Sequence, residues 1–194
     1  MDSYVTGSTI KSLREKKGLT QKELADILGV SSKAVSKWET AKGLPDITLI
    51  ESLAQVLGVS VMELMSGAAI INKNVSSNVM HTKFYVCPTC NNIIQALGEA
   101  SINCCGNVLT PLKAEEVDEK HQLTLEKVED EIFVSSNHSM SKEHYISFVA
   151  YVTGDKIQFI KLYPEGNAEA RIKPRGRGYL YIYCNTHGLM KQKV

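Results

Sequence analysis

Residues 183–188 read Tyr-Cys-Asn-Thr-His-Gly, and they place Cys184 and His187 three positions apart at the end of an apolar, aromatic-rich segment. Such a segment followed by a glycine is typical of a strand that enters a tight turn. Four of the five histidines of the chain lie in this stretch and in two segments upstream, 119–121 and 138–146. Four imidazole nitrogens and one thiolate suit a redox-active iron better than they suit a common structural metal.

The composition of the whole chain sets broad limits on its class. The 194 residues carry a formal net charge of +1, so the length allows one large domain or two to three small ones, and no strong field indicates a nucleic-acid or membrane partner. No apolar run is long enough to span a bilayer, and residues 1–6 lack the pattern of a signal peptide. We therefore expect a cytoplasmic protein without a membrane partner, in which the five cysteines are ligands or nucleophiles before they are disulfides.

The first third of the sequence has apolar residues at helical spacing. Thr20 and Glu23 form the pattern of a capping box, which begins a helix, and either Ser31 or Ser32 caps the next helix. Five short helices, two of them joined by a tight glycine turn, predict an all-α helix-turn-helix domain over residues 1–66.

Three short runs in this domain resemble the phage-repressor (Cro-like, XRE-type) helix-turn-helix family. They are Leu-Thr-Gln-Lys-Glu-Leu-Ala at 19–25, Gly-Val-Ser at 29–31 and Val-Ser-Lys-Trp-Glu at 35–39. The resemblance implies binding to double-stranded DNA, with Gln21 bonding a phosphate at the start of the second helix. The side chains that it places near base edges or phosphates of the major groove are Ser32, Lys33, Ser36, Lys37 and Thr40.

The alternative is that Lys33 and Lys37 are ordinary solvated lysines on an exposed face. DNA contact is favoured because the basic residues collect on one helix, while apolar residues supply the core. Residues 1–66 hold eight basic and eight acidic side chains, so a single neutral domain would bind DNA weakly. We therefore expect a homodimer that contacts two half-sites.

Residues 67–82 are mainly small and polar and predict a flexible linker, followed by a cysteine-rich segment over residues 83–112. Cys87 and Cys90 form a C-x-x-C pair, and Cys104 and Cys105 are adjacent. Four thiolates at such spacing predict a tetrahedral metal site. Zinc is the ordinary metal of such sites, but an adjacent second pair of cysteines is unusual for zinc ribbons.

The cysteine pattern resembles desulforedoxin and the N-terminal module of desulfoferrodoxin. That resemblance implies one iron on the four thiolates, with zinc as the alternative metal and with a disulfide or free thiols as the remaining possibility. We expect a small knuckle of irregular strands that depends on its metal for stability.

The remaining residues, 113–194, contain short alternating segments separated by glycine and proline turns. This pattern predicts an antiparallel, immunoglobulin-like β-sandwich with its ligands on loops at one end. The expected strands are 123–128, 131–134, 146–152, 156–162, 168–172 and 178–183.

The three histidine-bearing segments resemble the superoxide reductase (neelaredoxin/desulfoferrodoxin) family. They read Glu-Lys-His at 119–121, His-x-Met-x-x-Glu-His-Tyr-Ile at 138–146 and Cys-Asn-x-His-Gly-Leu at 184–189. The resemblance implies an iron centre with an axial thiolate from Cys184 and an open sixth position. Its equatorial ligands would be His121, His138, His144 and His187.

The same resemblance implies the one-electron reduction of superoxide to hydrogen peroxide, with a rubredoxin-like electron donor. Lys120 would attract the superoxide anion and organise a proton-donating water, and Glu119 would cap the oxidised iron after turnover. The alternative for these two residues is a surface ion pair, which contributes little. Three positions beside the ligands depart from the family pattern: Leu123 and Ser139 replace prolines and Met190 replaces a tryptophan.

Two hypotheses cover the whole chain. In the first it is an enzyme, a two-iron superoxide reductase joined to a DNA-binding domain. In the second it is a transcriptional regulator whose iron centres sense superoxide or redox state. The complete catalytic set, including Lys120 and the open position, favours the enzyme, because a sensor does not require either.

Overall fold

The computed structural model describes residues 3–68 and 70–194 and divides the chain into two compact units, Met1–Ile71 and Asn72–Val194. Met1 and Asp2, in the region where we expect no signal peptide, and Ala69, in the expected linker, lie outside the described residues. In the part of the chain that is described, no helix has both the length and the apolar character needed to cross a membrane.

Five helices form the first unit, as the sequence predicts. They are α1 (Ser3–Lys16), α2 (Gln21–Leu28), α3 (Ser32–Glu39), α4 (Ile47–Leu57) and α5 (Val61–Ser66). The capping box before α2 is confirmed, because the Glu23 amide donates to the Thr20 hydroxyl at 3.2 Å and the Thr20 amide donates to the Glu23 carboxylate at 2.7 Å. Ser31, rather than Ser32, caps α3 through a bond from the Ala34 amide.

A buried ion pair links α1 to α3 inside this unit. The Arg14 Nε donates to Glu39 Oε1 at 2.5 Å, and Gln21 Nε2 donates to the other oxygen at 2.8 Å. Burial by itself raises the pKa of Glu39, but the hydrogen bonds from Arg14 and Gln21 outweigh that effect and hold the pKa below its usual value. The pair therefore stays charged at neutral pH and fixes the orientation of α3 against α1 and α2.

The second unit is built from short strands. The first five are β1 (Lys83–Val86), β2 (Ile93–Ala96), β3 (Ile102–Cys104), β4 (Asn107–Leu109) and β5 (Ala114–Glu116). The others are β6 (Leu123–Val128), β7 (Glu131–Ser136), β8 (Ile146–Val152), β9 (Ile157–Lys161), β10 (Glu169–Ile172), β11 (Tyr179–Cys184) and β12 (Gly188–Lys193). Two 3₁₀ turns, Val79–His81 and Glu119–His121, precede β1 and β6.

Two sheets pack face to face in the C-terminal part of this unit. One has the strand order β5-β12-β11-β8-β9 and the other β10-β7-β6, and a buried cluster that includes Leu123, Val134, Ile182 and Met190 lies between them. The predicted β-sandwich is thus confirmed, with one parallel pair, β5 with β12, among antiparallel neighbours. The sequence does not predict these two strands, because β5 is only three residues long and β12 is mostly polar.

The cysteine-rich segment covers the outer face of the five-stranded sheet. Phe84 of β1 lies 5.1 Å from Phe148 of β8, measured between ring centroids, and both rings are buried. Every residue of β8 is buried as a result, since one face meets the opposing sheet and the other meets this segment. The side chains of Asn72 and Asn74 also donate to the carbonyl of Leu97, so the end of the expected linker packs on the second unit.

Candidate metal centres

The hairpin between β11 and β12 carries two of the candidate ligands. Cys184 pairs with Gly188 across residues 185–187, and Gly188 has a φ of 90°, a conformation that favours glycine. The register of β11 against β8 shifts at Cys184, which pairs with Ile146. Such a β-bulge bends a strand and redirects its side chains. Local backbone geometry therefore sets the directions of Cys184 and His187.

The four imidazole rings form a closed cycle of neighbours. Ring centroids are 4.8 Å apart for His121 and His138, and 4.4 Å apart for His138 and His144. The cycle closes with 4.9 Å between His144 and His187 and 4.8 Å between His187 and His121. His121 therefore lies across from His144, and His138 lies across from His187, in the square arrangement that an equatorial ligand set requires.

The donor atoms of these rings and of the Cys184 thiol converge on one point. One donor atom from each of the five residues lies within 4.8 Å of all the others. Nδ1 of His187 is 3.2 Å from Nε2 of His144 and 3.4 Å from Sγ of Cys184, so these three atoms face the centre. Nδ1 of His121 is 2.5 Å from the Asp118 carboxylate, which leaves Nε2 of His121 as its ligand atom.

Two of the rings hold buried nitrogen atoms that no hydrogen bond satisfies. Nε2 of His121 and both ring nitrogens of His138 have no partner among the described residues, a costly arrangement unless a ligand supplies one. Burial and the neighbouring His144 and His121 lower the pKa of His138, and loss of hydration with similar neighbours lowers the pKa of His187. Neutral imidazole is the form that binds a metal. These residues therefore fit a metal ion held by four nitrogens and one sulfur.

Two positioning residues were not identified from the sequence. Asp118 caps the 3₁₀ turn through a bond from the His121 amide at 2.9 Å and also holds the His121 ring. Asn185 accepts from the Tyr145 amide at 2.9 Å and donates to the Glu143 carbonyl at 2.8 Å, so it ties the hairpin loop to the loop of His144. Asp118 had a local signal, the three-residue spacing of an N-cap aspartate from His121, whereas the partners of Asn185 lie about 40 positions away.

Replacing Asp118 with alanine should weaken metal binding at this centre by roughly 10- to 100-fold, because a carboxylate that orients a ligating histidine typically contributes that much. Competition with a chelator measures the change. Glu126→Ala is the matched control, since Glu126 is an exposed carboxylate on β6 and should leave affinity unchanged. Equal affinities for the two variants would contradict the role of Asp118.

The three departures from the family pattern have different surroundings. Leu123 and Met190 are buried in the core between the sheets, with 8% and 4% exposure. Ser139 is exposed beside His138. Two of the substitutions therefore fill the sandwich core, and nothing in the structure explains the third.

Glu119 and Lys120 lie on the 3₁₀ turn that ends at His121, and both side chains are exposed. No ion pair between them occurs in the described part of the chain, so the alternative of a surface pair has no geometric support. The Lys120 ammonium is close enough to His187 to contribute to the lowering of its pKa. Lys120 is therefore an exposed cation on the turn that carries His121, within electrostatic range of His187.

The four cysteines of the knuckle form a second convergent group. Their sulfur atoms lie within 4.8 Å of one another, with 3.6 Å between Cys90 and Cys104 and 3.9 Å between Cys104 and Cys105. Cys87 is buried whereas Cys90 and Cys105 are exposed. Cys105 has a φ of 50°, and this left-handed backbone lets two adjacent residues both present sulfur to the same point.

Electrostatics of the bare thiols favour a bound cation at the knuckle. The backbone amides of Cys90 and Thr89 donate to the Cys87 sulfur and lower its pKa to about 6. Hydrogen bonds between the Cys105 thiol and the sulfur atoms of Cys90, Cys104 and Cys87 raise the pKa of Cys105 to about 12. One thiolate thus forms readily, but four together require a positive charge among them. The knuckle therefore fits a tetrahedral metal ion, and both iron and zinc accept this donor set.

Five of the six candidate DNA contacts lie on or beside α3, and the sixth, Gln21, is the first residue of α2, where its side-chain amide donates to Glu39. Ser32, Lys33, Lys37 and Thr40 are exposed and Ser36 is half-buried, while Val35 and Trp38 of the same helix are in the core. The Thr40 hydroxyl donates to the Ser36 carbonyl at 2.8 Å. The outward face of α3 therefore offers two lysines and two hydroxyls to a partner.

Comparison with known families separates the chain into two parts. A helix-turn-helix family model matches residues 10–64, and a desulfoferrodoxin family model matches residues 113–193.

Individual relatives follow the same division. A desulfoferrodoxin homolog of Methanothermobacter thermautotrophicus is 30% identical over 117 residues, which are 55% of this chain and 94% of the relative. The HTH-type transcriptional activator BcrR of Enterococcus faecalis is 36% identical over 74 residues, and the match covers 38% of this chain but only 36% of that protein. The superoxide reductase of Treponema pallidum is similar in structure, with a TM-score of 0.51 and 25% identity over 58% of this chain and 97% of that one.

Proposed function

The chain belongs to the desulfoferrodoxin family, and we propose on that basis that it is a cytoplasmic superoxide reductase joined to a sequence-specific DNA-binding domain. The observation that supports the enzyme most directly is the convergence of four imidazoles and one buried thiol, with Lys120 on the exposed side of the group. A purely structural metal site needs neither a fifth donor nor a cation at its rim.

The five donors would hold iron, which when bound supplies the single electron that turns superoxide into peroxide. Cys184 is fully buried, and its sulfur lies 3.4 Å from Nδ1 of His187, so it would supply the one sulfur donor of the set. Its thiolate would raise the electron density on a bound iron, as a cysteine ligand does in haem enzymes. Burial keeps water away from the sulfur and so preserves this effect.

Access for the substrate is on the side of His187, which is exposed, and of His144, which is half-buried. Superoxide is an anion, and Lys120 provides a positive charge within electrostatic range of His187. A cation at the entrance raises the local concentration of an anionic substrate and speeds its association. We therefore assign Lys120 the role of attracting superoxide.

Reduction of one superoxide consumes one electron and two protons and releases one hydrogen peroxide. Lys120 would hold the water that delivers a proton, since its ammonium is solvent-exposed and can exchange protons with bulk water. Glu119, one residue earlier on the same turn, would supply the carboxylate that caps the oxidised centre after turnover. The electron would come from a rubredoxin-like donor, directly or through iron in the four-thiolate knuckle, where zinc remains the alternative metal.

The deciding experiment loads the full-length protein with Fe(II) under anaerobic conditions and adds a pulse of superoxide. We expect one hydrogen peroxide for each superoxide consumed and no dioxygen. Equal amounts of peroxide and dioxygen would indicate dismutation instead. Absence of superoxide consumption by the iron-loaded protein would exclude the enzyme.

Replacing Lys120 with methionine should lower the second-order rate constant for superoxide by roughly 10- to 100-fold and remove most of its dependence on ionic strength, because the attraction is electrostatic. Pulse radiolysis at several salt concentrations measures both effects. Lys127→Met is the matched control, since Lys127 is exposed on β6. A Lys120 variant that keeps the salt dependence of the control would refute the assignment.

The helix-turn-helix unit makes a sensing role the second candidate. Its exposed α3 carries Lys33 and Lys37, and we propose that a homodimer of the chain binds two DNA half-sites through this helix. In the sensor hypothesis, DNA affinity changes when the iron is oxidised. Measuring the affinity of the Fe(II) and Fe(III) proteins for selected operator DNA decides between the enzyme and the sensor. A sensor gives different affinities for the two iron states, whereas an enzyme without sensing gives equal affinities.

A further inference from the structure

An open groove of about 610 Å³ lies in the second unit, away from both groups of metal ligands. It is formed where the 3₁₀ turn Val79–His81 and β1 meet the outer face of the five-stranded sheet. Its volume is within the range of sites that bind small molecules. The half-buried apolar side chains that line it are Met80, Pro111, Leu112 and Ala114.

The rim of this groove is predominantly positive. Three lysines, Lys83, Lys113 and Lys191, line it, against one carboxylate, Glu99. Lys191 is partly neutralised by Glu116 at 3.7 Å. No described carboxylate lies within 4.0 Å of Lys83 or Lys113, so these two ammonium groups are uncompensated.

A buried hydroxyl without a hydrogen bond lies in the wall of this groove, on Thr82, next to Lys83 in the sequence. Oγ1 of Thr82 has no partner in the described part of the chain, and the residue is only 8% exposed. A buried hydroxyl of this kind is uncommon in folded proteins, because it has lost its hydration without gaining a hydrogen bond in return. Tyr181 also lines the groove, and burial raises the pKa of its phenol, so it remains a neutral donor.

We propose that this groove binds a small organic anion, a carboxylate or phosphate attached to an apolar body. The anionic group would lie between Lys83 and Lys113 and accept a hydrogen bond from Thr82. The apolar body would lie against Met80 and Leu112. The charge of the rim selects an anion, and the apolar walls distinguish an organic ligand from an inorganic ion.

Titration calorimetry of the full-length, metal-loaded protein tests the proposal with three probes: phenyl phosphate, inorganic phosphate and benzyl alcohol. We expect saturable binding of phenyl phosphate at one equivalent per chain, clearly tighter than that of either other probe. Lys83→Gln and Lys113→Gln should each raise its Kd by roughly five- to tenfold, as expected when a charge-assisted hydrogen bond is lost. Thr82→Val, which removes only the hydroxyl, should raise the Kd by a smaller factor.

Controls separate this site from other places where an anion could bind. Lys127→Gln removes an exposed lysine on another sheet, and Lys37→Gln removes one from α3. Both should leave the Kd of phenyl phosphate unchanged, and metal content and circular dichroism verify that each variant is folded.

Three results would overturn the proposal. They are no saturable binding of phenyl phosphate, binding that is unchanged in both Lys83→Gln and Lys113→Gln, and equal affinity for inorganic phosphate and phenyl phosphate. The last result would leave an inorganic-anion site and exclude the organic ligand. None of these outcomes depends on superoxide chemistry, so the proposal and the proposed enzyme activity can fail separately.

Discussion

Replacing Cys184 with serine should lower the rate of superoxide reduction by at least about 100-fold, since even residues that only orient a metal ligand change activity or affinity by roughly 10- to 100-fold. Serine is nearly the same size as cysteine, so the fully buried side chain can be exchanged with little change in packing. Its oxygen is a harder and less electron-donating ligand than a thiolate. In the iron-loaded protein, the absorption band expected from the proposed bond between this thiolate and ferric iron should disappear with the activity.

The knuckle provides a matched control for this substitution. Cys105→Ser changes an exposed cysteine that belongs to the other group of ligands, so the His/Cys centre should keep its absorption band and its activity. Metal analysis and optical spectra of both variants, followed by the superoxide pulse, make the comparison. Retention of full activity in Cys184→Ser would show that its thiolate is not an iron ligand, whatever the role of the histidines.

Replacing Glu39 with alanine should destabilise the helix-turn-helix unit by about 3–5 kcal/mol, because it leaves the charge of Arg14 buried without its partner. The side chains of Arg14 and Glu39 are only 9% and 1% exposed. The loss also removes the acceptor of the Gln21 amide. A small domain has little stability in reserve, so most of the unit should be unfolded at 37 °C.

The fluorescence of Trp38 reports this unfolding selectively. It is the one tryptophan of the sequence and lies in the core of the first unit, so urea titration monitored by fluorescence follows that unit alone. Glu51→Ala, at an exposed position of α4, should change stability by less than about 0.5 kcal/mol. The double change Arg14→Met with Glu39→Leu should recover much of the loss. A Glu39→Ala protein as stable as the Glu51→Ala control would contradict this account of the buried pair.

Features that depend on near neighbours in the sequence were predicted well. The capping box of Thr20 and Glu23 is confirmed because its two hydrogen bonds join residues three positions apart. The helix-turn-helix unit, the cysteine knuckle and the β-sandwich are confirmed as the three parts of the fold. The strand that ends at Cys184 and turns before Gly188 follows from its aromatic alternation and the glycine.

Other features follow from contacts between residues far apart in the chain. Sequence alternation does not predict that β8 is buried on both faces, since its outer face is covered by β1, about 60 positions away. The short, polar strands β5 and β12 form because the hairpin after Cys184 pairs β12 with β11, and β12 in turn pairs with β5 at the edge of the sheet. Their own composition does not favour a strand.

The fold class and the local turns could be predicted from the sequence, because hydrogen bonds across three or four residues and hydrophobic periodicity are encoded within each segment. The candidate ligand residues could be named because their types and spacing are visible in three short segments. Three features of the site are visible only in the folded structure: His121 lies across from His144, Nδ1 of His187 faces the centre, and Asp118 holds His121. The tertiary structure also decided the basic groove with its buried Thr82. These arrangements depend on how strands distant in the sequence pack together, which no single segment specifies.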